Sequence, residues 1–273
     1  MRKIAHIINP VIVGPSSDLF VAQPVTFETM KVAREFARGQ VEVVFFSAQY
    51  PEDRALVPEG FQLTPDLERS VLDLGSFQKR RKYPLLADIL DRLYAATDAE
   101  YLIFTNVDIA VMPHFYATVN AFIAAGHDAF AINRRTIAAG YHGPAEIPVM
   151  YAEAGKKHEG HDCFVFRRDA YPQYRLGAVC TGIPWVGRTL LWNLMCYARN
   201  FYVFTKTHLT FHIGPGNKHT WGDDGFSDYR AHNMSEAQKV MAALKAAHGP
   251  FNGPSPFDLY PLQWSVLKKS FED

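Results

Sequence analysis

Apolar positions in this chain fall into short continuous runs separated by amphipathic stretches, the pattern of buried parallel strands alternating with helices. Residues 3–13 predict a first strand, closed by the turn signals Asn9-Pro10 and Gly14-Pro15. Pro24 to Gly39 predicts a helix with Gly39 as its stop, and Val41 to Ser47 a second strand, which makes a β-α-β unit. Residues 49–75, broken by Pro51, Pro58, Gly60 and Pro65, read as loop. From Pro84 a helix follows with Leu85, Leu86, Ile89, Leu90 and Leu93 on one stripe and Asp88, Asp91 and Arg92 opposite. It leads into Tyr101-Leu-Ile-Phe104, a run that fits a strand covered on both faces.

Downstream, Pro113 to Gly126 predicts a helix and Asp128 to Asn133 a strand. Residues 136–160, rich in glycine and proline, read as a long surface excursion before a strand at Cys163–Arg167. A helix is expected over Arg188–Arg199, a strand over Phe201–Thr205, and His208–Ile213 continues or pairs with it. The last helix is expected over Ser235–His248, with Ser235 as N-cap and Gly249 as stop. The proline-rich tail is expected to pack on the surface through Phe257, Tyr260 and Trp264. With no repeat, low-complexity tract or linker, residues 1–273 read as one α/β domain.

Composition narrows the function classes. Lys+Arg and Asp+Glu both number 28, so no net charge favours a nucleic acid or an anionic membrane surface. Cys163, Cys180 and Cys196 are odd in number and never in C-x-x-C spacing, which argues against a disulfide framework or zinc site and suits a reducing cytosol. His6, Asn9 and Pro10 interrupt the N-terminal apolar run, and no stretch approaches the ~20 apolar residues of a membrane span. The expectation is a cytoplasmic protein with no integral membrane segment.

Candidate chemistry begins where the Tyr101 run turns polar, at Thr105, Asn106 and Asp108. An Asn-Val-Asp triplet on extended chain sets two oxygen-bearing side chains on one side, suitable for a hard divalent cation that shares its shell with phosphates. The same triplet also fits a strand end followed by an Asx turn. His212 lies near a strand end, beside Gly-Pro-Gly-Asn-Lys218, whose backbone N–H groups and lysine are apt for phosphate. A hydrogen-bonded structural histidine fits that position too. Lys79, Arg80, Arg81 and Lys82 form a basic run that either faces phosphates or faces water.

In order and pattern, the first β-α-β unit, the apolar strand ending in Asn106-Val-Asp108, the segments Gly160–Asp169 and Gly182–Leu191, and the late His208-Leu-Thr-Phe-His-Ile-Gly214 resemble the GT-A class of nucleotide-sugar glycosyltransferases, family 2-like. The resemblance implies a single Rossmann-like domain with a central mixed, mostly parallel sheet flanked by helices. Residues of about 1–112 would bind nucleotide, about 113–249 the acceptor, and 250–273 would be the tail. It implies transfer of a sugar from a nucleoside-diphosphate sugar donor to a glycan or other hydroxyl acceptor, with Mg²⁺ or Mn²⁺ held by Asn106, Asp108 and His212. Asn9, Pro10, Gln23, Thr26, Arg80, Arg81, Lys82, Asn106 and Lys218 would line the nucleotide side. Trp185, Arg188 and Asp223 would meet substrate, Trp185 as a sugar platform or else as a core tryptophan. Asn106 departs from the family's usual Asp, so the metal motif carries one charge less. Residues 170–200 contain no Asp or Glu, which leaves Asp162 as the candidate general base, with Asp223 and Asp224 behind it. A sugar-phosphate nucleotidyltransferase fits less well, because the Asn9–Ser17 loop has a single glycine and no lysine. A non-catalytic nucleotide-sugar-binding protein is the other alternative.

Overall fold

A computed structural model describes residues 1–214, 224–251 and 253–262. Strands β1 (Lys3–Ile8), β2 (Glu42–Ser47), β3 (Phe61–Leu63), β4 (Tyr101–Thr105), β5 (Ala110–Val111), β6 (Ala129–Ile137), β7 (Lys156–Arg167), β8 (Phe201–Phe204) and β9 (Thr210–Ile213) form one sheet. Its order is β3-β2-β1-β4-β7-β6-β9-β5, with β8 beside β6. The β3, β2, β1 and β4 ladders are parallel, β7 runs antiparallel between β4 and β6, and β8 and β9 are parallel to β6. The sheet is therefore mixed and mostly parallel, as expected. Helices α1 (Leu19–Phe36) and α3 (Phe115–Ala124) cover one face through Phe27, Met30, Phe115 and Val119. Helices α2 (Leu86–Ala96) and α5 (Val186–Tyr197) cover the other through Leu86, Leu90, Leu190 and Leu194. Every residue of β4 is buried, so the Tyr101 run occupies the middle of this sandwich.

The first strand stops at Ile8 and not at residue 13, β3 lies inside the stretch expected to be loop, and three further boundaries differ from the sequence expectation, each for a physical reason. Helix α1 starts at Leu19 and carries Pro24 inside, its first turn built on Phe20 and Ala22 N–H bonds to the Ser17 and Asp18 carbonyls. Proline there costs one backbone bond near the helix start, on an exposed face. Gln23 and Thr26 are consequently turned into the interior. Helix α6 (Ser227–His248) starts eight residues before Ser235, and its buried Tyr229, Asn233, Ala237, Val240 and Leu244 continue one helical stripe through that position. The stops at Gly39 and Gly249 hold, both at positive φ.

The third difference is in the expected surface excursion, which shrinks to residues 138–155 and contains the short helix α4 (Ile147–Ala152). Strands β6 and β7 extend into it as a hairpin whose residues are polar and therefore show no apolar alternation: Asn133, Arg134 and Arg135 on one side, Lys156 to Asp162 on the other. Gly155 closes this hairpin at φ 60°, and a Cβ there would stand 2.7 Å from the Thr136 carbonyl oxygen. In the tail, α7 (Pro256–Leu259) buries Phe257 as expected, while Trp264 lies outside the described residues. No helix among the described residues is long and apolar enough to cross a membrane, and no disulfide joins the three cysteines.

Candidate active site at the carboxyl edge of the sheet

The parallel register sets Ile7 against Phe104 and Ile8 against Ser47, so the chain leaves β1, β2 and β4 at one edge through Asn9, Ala48 and Asn106. Open α/β sheets collect ligands at that edge. The Asn106–Asp108 triplet is not extended: Ile109 donates to the Asn106 carbonyl at 3.1 Å, closing a tight turn. The chain then re-enters the sheet as β5, pairing antiparallel with β9 in the register Ala110 to Phe211 and Val111 to Thr210. That register carries the Asp108 turn to the His212 end of β9. Asp108 Oδ2 and His212 Nε2 lie 3.2 Å apart, and His212 is 4% exposed. Asn106, expected beside them, makes no hydrogen bond with either among the described residues.

Hydrogen bonding sets the histidine's tautomer. His212 Nδ1 lies 3.0 Å from the Gly214 carbonyl oxygen, which can only accept, so Nδ1 carries the proton. In the neutral ring Nε2 therefore turns a lone pair toward the Asp108 carboxylate. That contact is favourable only with a second proton on the ring or a cation between the two groups. Two ligands 3.2 Å apart, each about 2.1 Å from one ion, subtend about 100°, close to adjacent octahedral positions. Asp108 Oδ1 is buried with no hydrogen-bond partner, a second sign of unused ligand capacity. Burial by itself pushes the Asp108 carboxyl up, but the His212 hydrogen bond and the charges of His212 and Arg134 hold it below the usual carboxylate range. No three His, Cys, Asp or Glu side chains converge as a metal site among the described residues. Asp108 and His212 thus fit a hard cation that takes the rest of its shell from phosphates and water.

Arg134, 8% exposed within β6 where its apolar run turns polar, is the neighbour that sequence reasoning missed. Its Nη1 is 3.2 Å from Asp162 Oδ2, within ion-pair range but off the hydrogen-bond axis, which leaves both Oδ2 and Arg134 Nε without an aligned partner. Asp162 comes beside Asn106 because β7 continues one residue past the Thr105–Cys163 pair. His158 completes the group. The β6–β7 register jumps between Asn133–His161 and Arg135–Lys157, and the additional residues on β7 form a bulge that turns His158 toward Arg134, with 3.4 Å between Nε2 and Nη2. Gly160 N–H donates to His158 Nδ1 at 2.9 Å, so the remaining ring proton sits on Nε2. Burial, then the Arg134 charge, lower the His158 pKa, while Asp162 opposes them. Polar residues ending an apolar strand, the signal that exposed Asp108, also mark Arg134. The bulge that adds His158 depends on pairing across the hairpin and leaves no local signal.

A Cβ on Gly160 would meet the His158 ring at 2.8 Å, so any larger residue here must displace that ring. Gly160→Ala is expected to push the ring off Arg134 and to cost about 1–3 kcal/mol by overpacking. Gly143→Ala, with nothing within 4 Å, should be near neutral. Urea unfolding of both variants, with the His158 ring proton shift followed by NMR, checks this; an unmoved His158 resonance in Gly160→Ala would refute it.

The remaining expected contacts divide. Asn9 donates to the Ala48 carbonyl at 2.6 Å, and Pro10 is buried beside it. Gln23 does not face the edge: its amide grips both the N–H and the carbonyl of Val11 at 2.9 Å. Thr26 is fully buried, because Pro24 lies within α1 and not at its mouth. Asp53 accepts from Ile12 N–H at 2.8 Å, so Asn9, Gln23 and Asp53 together fix the loop after β1. Within the basic run, Lys82 pairs with Glu52 at 2.7 Å and lies 3.7 Å from the Tyr50 ring centroid, Arg81 covers the Phe226 ring, and Arg80 is exposed. None of these contacts reaches the Asp108 cluster. Trp185 and Arg188 donate to the Leu262 carbonyl. Lys218 and Asp223 lie outside the described residues, and of Asp224 only the backbone is described, at the start of a 3-10 turn.

No protein-family model matches the chain, and no curated protein matches it in sequence. Among solved structures it is similar to S. aureus TarS 1-349 in complex with UDP-GlcNAc, with TM-score 0.50 and 11% identity over 95% of this chain and 76% of that one. TarS 1-349 in complex with UDP gives TM-score 0.49 and 10% identity over 94% and 75%. At this identity the likeness is one of fold alone.

Proposed function

We propose that the chain is a glycosyltransferase that moves a sugar from a nucleoside-diphosphate sugar to a hydroxyl acceptor, with Mg²⁺ or Mn²⁺ on the diphosphate. The observation that carries this is the Asp108–His212 pair, 3.2 Å apart at the carboxyl edge of the mixed sheet, with a lone pair facing a carboxylate. Asp108 and His212 would hold the ion, and the ion, when bound, supplies Lewis-acid stabilisation of the leaving diphosphate's charge. Asn106 stands at the turn where a neutral oxygen can join them. Arg134 contributes positive charge behind Asp108 and orients Asp162. Asp162 is the group this chain offers to take the acceptor's proton, a role that depends first on reach.

UDP-GlcNAc is bound by TarS, and the same nucleotide is the first donor to try here. Calorimetric titration with UDP, GDP and their sugars is expected to show binding that strengthens with Mn²⁺. Absence of binding by every nucleotide, with and without metal, would overturn the reading. A second reading, donor binding without transfer, is favoured by neutral Asn106 and by the engagement of Asp162 with Arg134. Donor hydrolysis that disappears in Asp162→Asn while binding persists would decide for catalysis.

A further inference from the structure

Trp185 and Arg188, at the start of α5, aim two donors at one oxygen. Trp185 Nε1 is 3.1 Å and Arg188 Nη1 2.7 Å from the carbonyl of Leu262, a residue of the chain's own tail. Trp185 holds its place at φ 81°, the only non-glycine residue at positive φ among those described. Such backbone costs of order 1–3 kcal/mol and persists where surroundings impose it. The place adjoins the candidate site: a Cβ on Gly187 would stand 2.9 Å from the carbonyl oxygen of His161, the residue before Asp162. The Tyr260 ring meets the His161 ring edge-on at 5.4 Å.

The described tail is held at two places. Phe257 is 4% exposed and packs on Trp192, whose Nε1 donates to the Tyr260 carbonyl at 2.9 Å. Beyond Tyr260, Pro261 and Leu262 are half-buried, with the Leu262 carbonyl bonded to the two half-buried donors. An indole N–H and a guanidinium that converge on one carbonyl oxygen can take another acceptor oxygen in its place, and a sugar hydroxyl is one whose C–H face can also lie on the indole.

We propose that Trp185 and Arg188 form a subsite for a hydroxyl-bearing acceptor, a sugar or polyol, which Pro261–Leu262 keeps closed from within the chain until the acceptor displaces it. Its use in transfer rests on the transferase reading, but the latch and the subsite are tested without it. In a Trp221→Phe, Trp264→Phe background, leaving Trp185 and Trp192 as reporters, the full chain is compared with chains ending after Leu262 and after Tyr260. Only the chain ending after Tyr260 should show indole emission quenched more steeply by acrylamide. If the latch is open about a tenth of the time, maltotriose, cellotriose or glycerol should shift that emission at about tenfold lower concentration than in the full chain. Equal quenching in the three chains would overturn the latch, and no response to any of the three probes in the chain ending after Tyr260 would overturn the subsite. Arg188→Gln in the full chain, checked for folding by circular dichroism, removes one latch donor and should move the quenching toward the shorter chain, and no movement counts against the latch. Should UDP bind none of the chains while the indole behaves as stated, the transferase reading falls and the subsite stands.

Discussion

Asp108→Asn is expected to abolish the metal-dependent part of nucleotide binding while leaving the fold intact. The substitution keeps the shape of the side chain and an oxygen toward His212, but removes the one formal negative charge that the Asn106–Asp108 turn carries. Replacing a supporting partner of a metal ligand already costs 10–100-fold in affinity, so losing the charged ligand itself should cost about a hundredfold or more. Stability should change little or rise. Asp108 Oδ1 is buried without a partner, and its ionised state depends on His212 and Arg134 overcoming burial. Removing a half-satisfied buried charge relieves desolvation, although Arg134 loses one of its two nearby carboxylates. UDP titration in Mn²⁺ beside a thermal melt separates these effects. Wild-type affinity in Mn²⁺ would show that Asp108 holds no ion, and a collapse of the melt would show that the pair is structural.

The parts of this site that local pattern exposes are those where an apolar strand turns polar within two or three residues. Tyr101–Thr105 followed by Asn106 and Asp108 is such a place, and the structure puts its buried strand and its His212 partner where the pattern leads. The geometry of the triplet was not legible, since a strand and a turn use the same residues and only the β5–β9 pairing selects the turn. Arg134 and His158 escaped because their role depends on an irregular register between two polar strands. Gln23 and Thr26 were misplaced by reading Pro24 as a helix start. In the structure the Ser17 and Asp18 carbonyls start the helix five residues earlier, so Gln23 and Thr26 lie within it, on its buried side, and not at its mouth. The α6 start was missed because Ser235 is a good cap residue within a stripe that Tyr229 and Asn233 had already begun.

Acid should destabilise this protein well before its carboxylates titrate, and His6 should account for much of it. His6 is fully buried in β1, its Nδ1 2.8 Å from Tyr116 Oη and its Nε2 2.9 Å from Thr105 Oγ1. A neutral imidazole offers one donor and one acceptor, and two hydroxyls can satisfy both. Burial lowers its pKa from 6.5 to about 3. The folded state therefore keeps His6 neutral while the unfolded chain takes up a proton, so stability falls as pH drops from 6.5 toward 3 and is unaffected above that window. At about pH 5 the linkage amounts to about 2 kcal/mol from this residue alone. His161, lowered by burial to about 4, acts in the same direction. His6→Gln retains a donor and an acceptor for the two hydroxyls but cannot titrate. Urea unfolding at about pH 7.5 and about pH 5 should show a loss in wild type that shrinks by about 2 kcal/mol in the variant. An identical pH dependence of stability in the two proteins would mean that His6 is already charged in the folded state.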